Sequence, residues 1–182
     1  MFKRLFLILF ACLGLILSGC SAEGSGLQSY VDAASGYQFL YPNGWLQVNV
    51  KEASEGVDIV FRDIIERSEN LSVIISDVPA DKNLTDIGDP TEVGYRFLKQ
   101  TNNSPDADRE IELINAESHQ DKNHTYYMLE YQVHSPSEDR HNLASVSVSR
   151  GKLYTFNLST TQPRWEKVKS LFEASASSFT VY

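Results

Sequence analysis

The 182 residues carry 16 Lys and Arg against 24 Asp and Glu, a net charge of −8, so the clustered positive charge that nucleic-acid binding needs is missing. Hydrophobic residues make up 42% of the chain, enough for one domain with a sizeable core and too much for a disordered polymer. Two cysteines are too few for a disulfide-stapled scaffold.

At the amino end, Lys3 and Arg4 precede an almost purely apolar stretch over residues 5–17. It is shorter than the roughly 20 residues that cross a bilayer, and it reads as a secretory signal. The stretch closes on Leu17-Ser18-Gly19-Cys20, which resembles the lipobox of bacterial lipoproteins. That resemblance implies that the Cys20 thiol receives a diacylglyceryl group, that the chain is cut before it, and that the new amino end is acylated. The expected organisation is a signal peptide over 1–19, a lipidated flexible tether over 20–29 and one folded domain over 30–182. Cys12 departs with the signal, so the exported domain holds no free thiol and no disulfide. Loss of two basic residues and no acidic one takes the net charge from −8 to −10. Such a surface repels anionic headgroups and leaves attachment to the acyl chains, each buried methylene contributing about 0.8 kcal/mol. The tether from Ser21 to Ser29 has a root-mean-square reach of about 15–18 Å.

The first strand is predicted to begin near Tyr30 and run through Tyr41, because Tyr37, Phe39 and Tyr41 alternate with other residues. Pro42-Asn43-Gly44 supplies a turn, and residues 45–50 return as a second strand. Strands at 57–62 and 71–78 follow, joined by a polar surface loop near 66–70. Asp89-Pro90-Thr91-Glu92 has the spacing of a capped helix start, with Val93, Phe97 and Leu98 turned inward and an end near residue 101. After a polar loop over 102–108, four strands form a meander with one face buried. The first, 110–117, carries Ile111, Leu113 and Ala116, the last of which breaks strict alternation. In 124–134, Tyr127, Leu129, Tyr131 and Val133 share a face. In 143–149, Ala144, Val146 and Val148 oppose Ser145, Ser147 and Ser149. A turn at Gly151 leads into 153–160, with Tyr154, Phe156 and Leu158 together. Pro163-Arg164-Trp165-Glu166 opens a last helix whose stripe is Trp165, Val168, Leu171, Phe172 and Ser175, and residues 178–181 finish extended. This order gives an α+β domain with helices on the faces of a central antiparallel sheet.

The search for catalytic chemistry finds no Gly-x-Ser-x-Gly elbow, no phosphate-cradling glycine loop and no His-Glu-x-x-His helix. A cysteine nucleophile is consumed by lipid, and the carboxylates are scattered over polar positions where solvation is the ordinary reading. The expectation is a protein that is not an enzyme, with no required cofactor. His119 and His124 flank four residues, so a four-residue hairpin loop would set them across from each other, where with Asp121 they could chelate zinc, calcium or manganese. A plain polar hairpin end is the competing reading and the stronger one. His124 and His134 share a strand face but lie too far apart for one ion. His141 follows Arg140 at the start of a strand and suits an exposed position. The tyrosines and Trp45 fill a core or line cross-strand pairs before they line a ligand pocket.

Several segments together resemble the PsbP family of photosystem II lumenal proteins, specifically its cyanobacterial lipoprotein branch. They are Gly36-Tyr37-Gln38-Phe39-Leu40-Tyr41-Pro42-Asn43-Gly44-Trp45, Asn70-Leu71-Ser72-Val73, Leu84-Thr85-Asp86-Ile87-Gly88-Asp89-Pro90, Tyr126-Tyr127, Arg140-His141-Asn142-Leu143, Gly151-Lys152-Leu153-Tyr154, Arg164-Trp165 and Ala176-Ser177-Ser178-Phe179. They fall in family order over nearly all of 30–182. The resemblance implies an α-β-α sandwich around an antiparallel sheet. It also implies a non-enzymatic, monomeric protein held by its lipid on the lumenal side of the thylakoid membrane, meeting photosystem II subunits as an assembly or stability factor.

Plant members help retain calcium and chloride at the water-oxidising centre, through a longer segment before the domain that a tether replaces here. They also pair the histidine corresponding to His141 with an acidic residue in a metal site, where this chain has Gln162, a poor ligand. The alternative function carried with the resemblance is a divalent-cation module supporting the oxygen-evolving centre, using His119, Asp121, His124 and His141.

Overall fold

The computed structural model describes residues 26–50, 56–102, 109–121 and 123–182. The signal peptide, Cys20 and residues 20–25 of the expected tether lie outside them. Among the described residues regular structure begins at Leu27, slightly earlier than Tyr30. The expected first strand is a hairpin of two, β1 (Leu27–Asp32) and β2 (Tyr37–Pro42), because residues 33–36 turn the chain back on itself. Gly36 makes that turn at φ 79°, where any Cβ would also press on the Tyr182 carbonyl oxygen at 3.1 Å.

Pro42-Asn43-Gly44 does turn the chain, but not into a hairpin with β2. It carries β3 (Trp45–Val48) across to a second sheet, where β3 pairs with β4 (Val57–Asp63). β5 (Asn70–Asp77) follows, then a short helix α1 (Leu84–Ile87), which went unpredicted, and α2 (Pro90–Asn102). The expected cap of α2 is in place. The Glu92 amide donates to Asp89 Oδ1 at 2.9 Å, and the Asp89 amide to Glu92 Oε2 at 3.2 Å.

The meander is β6 (Glu110–Asp121), β7 (His124–His134), β8 (Arg140–Ser149) and β9 (Lys152–Thr161). A 3₁₀ turn (Gln162–Arg164), α3 (Trp165–Ser177) and β10 (Thr180–Val181) complete the chain. Seven strands run antiparallel in the order β3-β4-β5-β9-β8-β7-β6, and β1-β2-β10 form a smaller sheet. Two cores result. α3 and the small sheet cover one face of the large sheet with Phe39, Phe156, Phe172 and Phe179 at the centre. α1 and α2 cover the other through Leu84, Val93, Leu98, Tyr127, Leu129 and Tyr131. Gly94 lets α2 come this close, since a Cβ there would meet Leu113 at 3.0 Å.

This is the expected α+β sandwich, with one correction. The inner strands of the meander, β8 and β9, are buried on both faces rather than one, whereas β6 at its edge has no fully buried residue. Ser145 and Ser147 are fully enclosed because they lie opposite Phe156 and Tyr154 in register, and small side chains leave the space those rings occupy. The broken alternation at Ala116 has a cause too. A bulge between Leu113 and Asn115 pushes Ile114 outward and returns Ala116 to the face of Ile111 and Leu113.

Candidate functional site

β8 and α3 meet where the sheet face carrying Leu143 and Ser145 ends at His141. This histidine does not take the exposed position that its place at the start of a strand equally allowed: it is 2% exposed. The Trp165 ring lies parallel over the imidazole with centroids 3.9 Å apart. His141 Nε2 is 2.7 Å from Glu130 Oε1 on β7, and Nδ1 is 2.9 Å from Gln162 Oε1 in the 3₁₀ turn. An ionised carboxylate only accepts, so Nε2 carries the proton that goes to Glu130. In the neutral ring Nδ1 is then an acceptor, with Gln132 Nε2 at 3.5 Å, and Gln162 meets it as a donor once its amide is turned to exchange Oε1 for Nε2. In the charged ring both nitrogens donate. Either way both nitrogens are committed to protein partners, and no lone pair faces a cation.

Glu130 joins this buried bracket to solvent. It also lines an open groove of about 540 Å³ between the β6–β7 ribbon and α3, with Glu117, His119, Lys169 and Glu173. Three carboxylates, one imidazole and one ammonium make a polar hollow suited to a cationic or mixed-charge partner surface, since complementary charge steers encounter. His119 stacks on Tyr126 with centroids 5.2 Å apart.

The other predicted ligands do not join it. The hairpin is tighter than expected: Asp121 pairs with His124, and His119 pairs with Tyr126 rather than with His124. His124 lines a different hollow, with Lys82 and Arg150. Glu130, which holds His141, is four residues along β7 from Tyr126, or about 13 Å at strand spacing. His134 lies beside Asp139 at 3.2 Å. Among the described residues no group of three or more His, Cys, Asp and Glu could hold a metal ion. The weaker of the two sequence readings, a zinc, calcium or manganese site from His119, Asp121, His124 and His141, is not brought together among the described residues.

Two residues with defined roles were passed over in sequence. Glu130 read as one of many solvated carboxylates, yet it sits between Met128 and Gln132 on the face beneath α3. Glu69 read as part of a polar surface loop, yet it is 4% exposed. Its Oε1 accepts from Arg164 Nε, a bond that raises the guanidinium's pKa, and Glu66 Oε2 lies 3.4 Å from Arg164 Nη1. Hydrogen bonds from Ser68 hold the Glu66 carboxyl below its ordinary range. The turn before β5 is thus clamped to the start of α3, beside His141.

A family model described as PsbP matches residues 25–181. The chain belongs to the PsbP family. It is 56% identical over 172 residues to CyanoP of Synechocystis sp. strain PCC 6803, covering 93% of this chain and 92% of that protein. Identity to CyanoP of Thermosynechococcus vestitus is 46%, over 100% of both chains. The solution structure of CyanoP from Synechocystis sp. PCC 6803 matches with a TM-score of 0.76 at 57% identity, covering 92% of this chain and 99% of that one. PsbP proteins are accessory proteins associated with photosystem II rather than known enzymes, and this chain is one of them. In this PsbP-family domain no described helix is long and apolar enough to cross a membrane.

Proposed function

We propose that this protein is a lipid-anchored accessory factor on the lumenal side of the thylakoid membrane, assisting assembly or stability of photosystem II by docking on lumenal faces of its subunits. The observation that carries the reading is the PsbP match over residues 25–181, with the lipobox-like Leu17-Ser18-Gly19-Cys20 a few residues before it in sequence. Cleavage before Cys20 and acylation of its thiol hold a monomeric domain within a short tether's length of the bilayer. That confinement raises its effective concentration near membrane partners, so a weak contact suffices. The groove lined by Glu117, His119, Glu130 and Glu173 is the docking face best matched to basic lumenal segments.

Affinity isolation from detergent-solubilised thylakoids, with cross-linking, tests the docking role. The expected result is photosystem II subunits linked to residues rimming this groove; recovery without any such subunit overturns it. Cys20→Ala tests the anchor. The variant should move to the soluble lumenal fraction, and retention in membranes through a salt wash counts against acylation.

A further inference from the structure

The turn joining β4 to β5 presents two adjacent aliphatic side chains to water: Ile64 is 54% exposed and Ile65 is 91% exposed. Leu46, 60% exposed on edge strand β3, lies opposite Arg62 and shares a hollow with Ile64, Arg62 and Arg67. This is not a loose tip. Asp63 Oδ1 accepts the Ile65 amide at 2.7 Å and the Glu66 amide at 3.1 Å. The Asp63 amide donates to the Glu69 carbonyl at 3.1 Å, and the Glu69 amide to the Glu66 carbonyl at 2.9 Å. Arg164 and Arg140 tie the same turn to α3 and β8 through Glu66, Glu69 and the Ser68 carbonyl. The structure therefore holds two isoleucines outward on a rigid support, where a folding requirement would have turned them in.

Their place in the molecule says what meets them. The Gly26 carbonyl accepts the Asn43 amide at 2.8 Å, Asn43 lies two residues before Trp45, and Trp45 is the register partner of Asp63. The chain thus enters the domain at the end that carries Ile64 and Ile65. Five residues, 21–25, lie between Cys20 and Gly26. The six Cα–Cα steps from Cys20 to Gly26 reach at most about 20 Å. An acyl anchor on so short a lead brings this end, not the opposite one, against the bilayer.

We propose that the Ile64–Ile65 turn is a membrane-contacting element that inserts into the lipid headgroup region beside the Cys20 anchor. Arg62 and Arg67 flank the pair on chains long enough to lay their stems along it and present guanidinium groups to lipid phosphates. They balance Asp63 and Glu66, so the turn enters the interface without the domain's overall negative charge. The contact fixes the domain's orientation on the membrane and leaves the β6–α3 groove free for protein. This rests on the acylation of Cys20 proposed above.

The test uses the chain from Cys20 to Tyr182 joined through the Cys20 thiol to a maleimide-headgroup lipid in phosphatidylcholine vesicles, with and without brominated acyl chains. Trp45 and Trp165 are each 4% exposed and form the background. Ile65→Trp, at a site nine-tenths exposed and so outside the core, adds a reporter; Ala34→Trp, in the exposed turn at the opposite end of β1, is the control. The expected result is a blue shift and loss of emission from Ile65→Trp in brominated vesicles, and neither change for Ala34→Trp. Equal behaviour of the two variants overturns the proposal. So does an Ile65→Trp signal that moves only on adding solubilised photosystem II, which assigns the turn to a protein partner. Because the vesicle link is chemical, this outcome is independent of cellular acylation. Mass spectrometry of Cys20 in chain isolated from cells tests that separately.

Discussion

Replacing His141 tests whether the bracket formed by Glu130, Gln162 and Trp165 holds α3 against the sheet. His141→Ala removes a parallel ring contact at 3.9 Å, worth about 0.5–1.5 kcal/mol beyond burial. It also opens a cavity at a site 2% exposed and strips both Glu130 and Gln162 of a partner. A buried polar group left unpaired costs about 1–3 kcal/mol, less where water still reaches it, as at Glu130. The combined loss should be about 2–4 kcal/mol. At roughly 2–4 °C per kcal/mol for a domain of this size, Tm should fall by about 10 °C. His141→Phe separates the contributions, since it keeps the ring contact and loses both hydrogen bonds; its expected loss is about 1–2 kcal/mol. Urea melts at pH 7, read from the emission of Trp165 and from far-ultraviolet circular dichroism, measure both. A loss below about 0.5 kcal/mol for His141→Ala, or His141→Phe as stable as the parent, would refute the reasoning.

Ser145 Oγ is enclosed with no hydrogen-bond partner among the described residues, so Ser145→Ala should raise stability by up to about 1 kcal/mol in the same melts; a fall would mean the hydroxyl is bonded. Asp89→Ala removes the side-chain acceptor for the Glu92 amide and should cost about 1 kcal/mol, with Asp89→Asn costing little by comparison. Burial pushes up the phenols of Tyr30, Tyr37, Tyr126, Tyr127, Tyr131 and Tyr154, six of the nine tyrosines. A folded pKa above the unfolded one stabilises fully below about pH 10 and is lost as pH rises through the folded values. Absorbance at 295 nm should accordingly show a late step that coincides with alkaline unfolding, and six phenols ionising while circular dichroism stays native would count against it.

Where periodicity and packing agreed, the sequence was sufficient. The Asp89–Glu92 spacing placed α2, and the stripe from Trp165 to Ser175 placed α3, because the groups each pattern describes all lie within a single helix. Pro42-Asn43-Gly44 could not reveal its partner: a turn sets a local change of direction, whereas the sheet that Trp45 joins is decided by Asp63, far along the chain. Ser145 and Ser147 misled for a related reason. A small polar residue reads as exposed unless the ring opposite it in register is known, and that register depends on β8–β9 pairing. At the candidate site His141, Gln162 and Trp165 were each singled out, but Glu130 was hidden by its charge. Met128 and Tyr126 beside it carried the available signal, since an apolar pair on the second face of a strand implies that both faces are covered.

β10 closes the small sheet by pairing with β2, and the Val181 amide donates to the Tyr126 hydroxyl at 3.1 Å. Residues 180–181 are therefore the bolt on a door hung by β1 and β2. Along the chain β10 comes well over a hundred residues after β2, so the small sheet is completed only once residues 180–181 are available to pair with Tyr37 and Gln38. A fusion added after Tyr182 would load that bolt directly. A handle placed in the Ala33–Ala34 turn would load it from the other side, because the Tyr182 amide donates to the Gly36 carbonyl at 3.0 Å and the Tyr182 hydroxyl to the Asp32 carbonyl at 3.2 Å.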